Sequence, residues 1–152
     1  SVMTRDVGYQ FLRLGRNLER ADMTTRFIDM RLSVGQSDKL PDEVTLETLR
    51  WVNVLGSLSA YHMYRRKMQA QVVRQHVLWF LFKDDEFPRS FMHCVNAVEE
   101  CLGSLDANRP CLLAVRKVVN DLEQARLETI EPSALNSLVD RLQRLLWGLR
   151  GD

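Results

Sequence analysis

Between one cluster of glycine, proline or capping residues and the next, the apolar residues of this chain recur at intervals of three and four, and nowhere do they alternate. That interval follows the 3.6-residue turn of an α-helix, whereas a half-buried strand repeats every two residues. The expected fold is all-α, an antiparallel bundle of about six helices joined mostly by short loops, in one domain over residues 1–152. A first helix is predicted from about Thr4 to Leu32, ending in SVGQSDKLPDE, where Gly35, Ser37, Asp38 and Pro41 supply breaker chemistry. Thr45 is placed to cap a second helix from about Leu46 to Arg66. A third runs from about Ala70 to Lys83; the break before it is inferred from length, since one helix from Leu46 to Lys83 would be far longer than usual. Pro88 is expected as the first residue of a fourth helix ending at Leu105. Asn108 and Pro110 start a fifth to about Leu127, and Pro132 starts a sixth to about Leu149.

The stretch GRNLERADMTTRFID, residues 15–29, carries charges at helical spacing. On a wheel centred on Glu19, Leu12, Gly15, Met23, Arg26 and Met30 all fall within about 40°. Glu19 is therefore expected to point inward, with Arg13, Asn17, Thr24 and Arg31 as the solvent face. An inward carboxylate must be paired, protonated or used, because a buried unpaired charge costs several kcal/mol, on the order of 3 to 5. Arg16, one turn before, and Arg26, two turns after, are the candidate partners, and Arg20 at the edge of the arc could reach another helix. Gly15 removes bulk on the same face, as a close approach of backbone or ligand would require. Two readings stand side by side: a buried ion-pair network that fixes register, and a polar ligand pocket inside a helical bundle.

Charge narrows the partners. The 21 basic residues are interleaved with 20 acidic ones for a net charge of +1, which gives no clustered surface for nucleic acid. The longest purely apolar run, Val77 to Phe82, is far below the roughly 18 to 20 residues that cross a bilayer, and the first residues carry no signal-peptide pattern; no membrane association and a cytoplasmic setting are expected. Cys94, Cys101 and Cys111 form no CxxC pair and read as buried thiols, and His62, His76 and His93 have no ligand spacing, so no metal is expected. With no glycine-rich phosphate loop, no GxSxG elbow and no Cys/His nucleophile pair, no cofactor is implied either.

Two further stretches carry polar residues among apolar ones. In the second helix Ser57, Tyr61 and Arg65 follow one another at single turns beneath Leu46, Trp51, Val54 and Leu58, either as a satisfied tyrosine with a snorkelling arginine or as one wall of a site. In FLFKDDEFPRSF, Asp84 and Arg89 flank a corner. Arg89 would stand in the first turn of a helix, where positive charge is unfavourable, so it is expected to have an anionic partner: Asp84, Glu19 or a ligand.

Taken in order, GRNLERADMTTRFID with Glu19 and Arg20, then Trp51 and the Ser57, Tyr61, Arg65 stripe, then Asp84, Pro88, Arg89 and Ser90 resemble the Alpha-E domain, a helical domain named for a Glu-Arg motif. These stretches span residues 11 to 91. Where the family tends to read D-P-D-N-P-R-S, this chain has Asp84 to Ser90 as DDEFPRS, without the proline and asparagine of the turn. Family members are often about twice as long, with the G-R-x-L-E-R-A pattern in two halves, and this chain looks like one half, closer to the second. The resemblance implies an accessory domain found with ATP-grasp amide ligases and transglutaminase-like proteins in a peptide synthesis or modification system. It carries no assigned reaction.

Two functions follow as expectations. In the first, a non-catalytic domain positions a peptide, an amino acid or a partner ligase, with Arg16, Glu19, Arg20 and Arg26 facing Tyr61, Arg65, Asp84 and Arg89; Glu19 would take an ammonium group while an arginine holds the carboxylate bidentately. In the second, Glu19 is the general base of an enzyme acting on an amide or ester. No nucleophile is placed beside it, and this favours binding.

Overall fold

The computed structural model describes residues 2–33, 41–105, 109–127 and 129–149. They form seven helices and no strand: α1 (Val2–Ser33), α2 (Pro41–Ser57), α3 (Tyr61–Met68), α4 (Arg74–Lys83), α5 (Phe91–Ser104), α6 (Arg109–Gln124) and α7 (Pro132–Leu149). The all-α expectation holds, and the extra helix comes from a corner that the sequence does not announce. Where a single helix through Arg66 was expected, α2 closes with the Ala60 N–H on the Leu55 carbonyl at 2.7 Å and the Ser59 N–H on that of Gly56 at 3.0 Å. This is the double bond of a Schellman motif, whose left-handed position is usually glycine. Here Ser59 occupies it, at φ 55°.

Other boundaries move for local reasons. The break expected at residues 66–70 falls after Met68, where Gln69 adopts the left-handed conformation at φ 47°, and α4 starts at Arg74. Pro88 is not the first residue of its helix: α5 begins at Phe91, because the Ser90 hydroxyl accepts the His93 N–H and caps it. Thr45 lies inside α2 rather than capping it.

α1 packs on α2, α5 and α7, while α5 packs on α1, α4 and α6, so these two helices hold the bundle together. One connected apolar cluster runs from Leu18 on α1 to Leu142 on α7 through Trp51, Leu55, Tyr64, Phe80, Phe82 and Phe91. Burying each large side chain contributes about 1.5 to 3 kcal/mol before the entropy of ordering is subtracted.

The faces of α1 depart from the sequence expectation in part: Leu18, Thr25, Phe27 and Leu32 of the expected inward arc do pack inward, but Glu19 does not, and Asn17 and Thr24, expected in solvent, are buried. The inward side holds Asn17, Leu18, Ala21, Asp22, Thr24, Thr25 and Ile28. Glu19 is exposed, as are Leu12, Arg16, Met23, Arg26 and Met30. Polar residues can face inward because their hydrogen bonds are made locally: Asn17 Nδ2 donates to the Arg13 carbonyl at 2.8 Å, and the Thr25 hydroxyl to that of Asp22 at 2.8 Å. Nothing approaches Gly15, where an added Cβ would meet open space.

Candidate functional site

The tightest polar structure in the described residues is the corner between α4 and α5. Asp84 ends α4 with its carboxylate fully buried, and Oδ1 accepts both the Lys67 ammonium at 2.6 Å and the Glu86 backbone N–H at 2.9 Å. The second bond is an Asx turn, which lets an aspartate shape the chain two residues on. The first pulls the Lys67 pKa above its ordinary value, with the hydrogen bond to Asp84 as the leading cause. The Ser90 hydroxyl donates to the Asp84 carbonyl, His93 Nδ1 lies 2.7 Å from the Asp85 carbonyl, and the Cys94 thiol donates to the Pro88 carbonyl at 3.3 Å. The loop is thus fixed from inside, and its outward product is the position of Arg89.

Arg89 joins three elements. Its carbonyl accepts the Thr24 hydroxyl of α1 at 2.7 Å, and its guanidinium lies 3.5 Å from the Leu58 carbonyl at the end of α2, where the helix dipole presents partial negative charge. It stands in a turn before α5, not in a helical first turn, and the anionic partner expected for it is not found among the described residues; Asp84 is committed to Lys67. Half-buried Arg20 of α1 lies, like Arg89, within electrostatic reach of Cys94 at the start of α5. Both guanidinium groups act on the Cys94 thiol, whose pKa burial nevertheless pushes up to about 12. Among the described residues Arg20 has no ion pair and no hydrogen bond through its side chain.

Beside this corner an open groove of about 750 Å³ is lined by Asn53, Gly56, Ser57, Ser59, Tyr61 and His62, with Val52 at its wall. Tyr61 stands edge-on to His62, ring centroids 5.7 Å apart. Leu58, which receives Arg89, lies between the two serines that line the groove.

The structure thus brings together Arg20, Arg89 and, at the adjoining groove, Tyr61, with Asp84 as the buried support of the loop. Arg65 does not join them: the corner after Ser57 breaks the expected stripe, and Arg65 is exposed over a separate hollow of about 450 Å³ with Gln69, Ala70 and Gln71. Arg16, Glu19 and Arg26 lie on the outer face of α1, where Arg26 pairs with Asp22 at 2.9 Å. Among the described residues no group of His, Cys, Asp or Glu is placed to hold a metal ion, and no helix is long and apolar enough to cross a membrane.

The family model that matches the chain does so over residues 1–151, and its description is a predicted alpha-helical domain with a conserved ER motif. The chain belongs to the Alpha-E family. No curated protein and no solved structure matches it. The only Glu-Arg dipeptide in this Alpha-E sequence is Glu19–Arg20. Consecutive helical residues point about 100° apart, and the motif is accordingly divided, its glutamate outward and its arginine toward Arg89 and Cys94.

Residues that sequence reasoning missed at this Alpha-E site are Lys67, Thr24 and the capping role of Ser90. Ser90 had a readable signal, a serine directly before the apolar run of α5. Lys67 and Thr24 act across 17 and 65 positions of chain, and no local pattern marks such pairings.

Proposed function

We propose that this Alpha-E chain is a helical accessory domain that binds the carboxylate end of a peptide or amino acid. Arg20 and Arg89 would hold the carboxylate, and the hydroxyl-lined groove of Ser57, Ser59 and Tyr61 would take the neighbouring part of the ligand. The observation that carries this reading is the approach of two guanidinium groups to one corner, where Arg20 has no partner among the described residues and Arg89 has only a long contact to a carbonyl. Arginine presents parallel N–H donors that match a carboxylate, and a half-buried setting strengthens such a bond over its value in water. Glu19 has no part in this recognition, since it lies on the outer face.

The same reading makes the chain a helper rather than the source of the chemistry. It would hold its ligand for an ATP-grasp amide ligase or a transglutaminase-like partner, or against the other half of a longer Alpha-E protein, within a peptide synthesis or modification system. The alternative, an enzyme with Glu19 as general base, lacks support in the geometry. Glu19 is an exposed carboxylate on the outer face of α1, and the Cys94 thiol on which the arginine pair acts is held protonated.

Titration calorimetry with a short peptide bearing a free C-terminus, against the same peptide C-amidated, tests the proposal. The free carboxylate is expected to bind and the amide not. Arg20→Gln and Arg89→Gln should each weaken binding by about tenfold, the loss of roughly one charged hydrogen bond. Equal binding of both peptides, or an Arg20→Gln protein that binds like the parent, would overturn it.

A further inference from the structure

Most of the large apolar side chains left in solvent belong to one helix. Of the nine among the described residues, six lie on α1, and Leu12 and Met23 on its outer face are 71% and 50% exposed. On a helical wheel Leu12, Arg16, Met23, Arg26 and Met30 all fall within about 60° of Glu19. They form one stripe along the side of α1 turned away from the core, with Tyr9 and Phe11 on its flanks. Apolar residues gathered on one exposed face and interrupted by charge mark a surface that another protein covers.

The charges in the stripe decide what fits. Arg26 is held by Asp22 at 2.9 Å. Arg16 and Glu19 are exposed and, among the described residues, neither enters an ion pair or a hydrogen bond through its side chain. They flank the middle of α1, which runs from Val2 to Ser33. If two copies of this helix pack antiparallel about a two-fold axis at that middle, the helices overlap along their whole length, and residues equally far from the centre meet. Arg16 of each copy then faces Glu19 of the other, and Leu12 of each faces Met23 of the other. On the wheel Leu12 and Met23 differ by about 20° and Arg16 and Glu19 by about 60°, so both members of each pair project to the same side of the seam. A parallel pair would instead set Glu19 on Glu19 and Arg16 on Arg16. Sliding the antiparallel copies until Glu19 meets Arg26 would use an arginine already paired with Asp22, and would carry Leu12 opposite Ser33 at the helix end.

We propose that this face of α1 is the contact between two copies of the chain, packed antiparallel, with two Arg16 to Glu19 pairs at the centre and Leu12 against Met23 on either side. The glutamate of the Glu-Arg dipeptide, which has no part in the carboxylate corner, gains a partner in this way. α1 has 32 residues. A footprint about 48 Å long and about 10 Å wide covers roughly 500 Å² of each copy, close to the small end of specific interfaces. The dimer is therefore weak, with a dissociation constant in the micromolar range, and its charge pairs set orientation and register more than strength. Nothing in it depends on whether the corner at Arg89 binds a peptide.

Sedimentation equilibrium of the full chain, from about 1 to about 500 μM, tests the proposal. The parent should pass from monomer to dimer across that range. Arg16→Glu and Glu19→Arg each set like charges opposite one another at two places, and each should weaken the dimer about tenfold or more. The double variant, Arg16→Glu with Glu19→Arg, brings opposite charges back together and should dimerise within about threefold of the parent. Leu12→Ser should weaken the dimer about tenfold through the lost apolar anchor. Circular dichroism should show every variant as helical as the parent, since all these positions are exposed. A parent chain that stays monomeric throughout would overturn the proposal and leave the stripe to a different protein. A single charge variant that dimerises like the parent, or a folded double variant as weak as the singles, would overturn it as well.

Discussion

Cys94 lies within electrostatic reach of two arginines, a setting that in an open site would favour a reactive thiolate, yet burial dominates and its pKa rises to about 12. At pH 8 only about one thiol in ten thousand would be ionised. Iodoacetamide should therefore label half-buried Cys111 in the native protein and leave Cys94 untouched; labelling of Cys94 without unfolding would mean that the arginine corner is more open than its packing implies. Asp84 is the second residue whose setting decides its behaviour. Asp84→Asn keeps the shape and an acceptor for the Glu86 N–H but removes the charge that faces Lys67, and should cost about 1 to 3 kcal/mol in urea unfolding. The pH dependence has a definite sign. Lys67 is raised from 10.5 in the fold, so its contribution is complete below that value and is lost as the pH climbs through the raised one. The stability gap between parent and Asp84→Asn should accordingly narrow above about pH 10.5, and a gap that widens there would exclude the pairing as its cause.

At the scale of the element, α1 shows what the sequence could and could not disclose. Two stripes run along it at alternating intervals of three and four. Leu14, Leu18, Ala21, Thr25, Ile28 and Leu32 form one, and Leu12, Arg16, Glu19, Met23, Arg26 and Met30 form the other. The first packs into the core and the second faces out. Both satisfy helical periodicity, so that α1 is a helix was legible while its orientation was not. The wheel was centred on Glu19 because three large apolar residues surround it, but the deciding facts were nonlocal. Thr24 and Asn17, polar by type, find carbonyl acceptors on Arg89 and Arg13 and are carried inside. In the same way the arginines at residues 20 and 89 were legible as candidates, whereas Lys67 as the partner of Asp84 was not. The bounds of α7 were read closely because Pro132 marks its start. Ser59 in a glycine-like position hid the end of α2. The exposed position of Glu19 reverses the cost expected for a buried charge: Glu19→Gln should change stability by less than about 0.5 kcal/mol, as surface substitutions do. A loss of 2 kcal/mol or more in urea unfolding would restore the buried network that the sequence first indicated.

Across the whole molecule the question is whether the helices form one cooperative unit, as a single domain over the full chain requires. The physical case rests on the apolar cluster, which passes without interruption from α1 through α2, α4 and α5 to α6 and α7. No helix here can bury its apolar face alone, and a transition that removes one exposes the faces of its neighbours. Phe91 is the sharpest probe, because it is fully buried at the start of α5, stands 6.1 Å from Phe82 of α4, and belongs to a helix that also packs on α1 and α6. Phe91→Ala should cost about 3 to 5 kcal/mol, the transfer of the ring plus the cavity left behind. Tryptophans at positions 51, 79 and 147 lie in α2, α4 and α7, so fluorescence samples distant parts of the bundle while circular dichroism samples all of it. If the molecule is one unit, urea transitions by the two methods coincide in the parent and shift together in Phe91→Ala with an unchanged slope. Transitions that separate, or a shift in one probe alone, would divide the chain into independently folding parts.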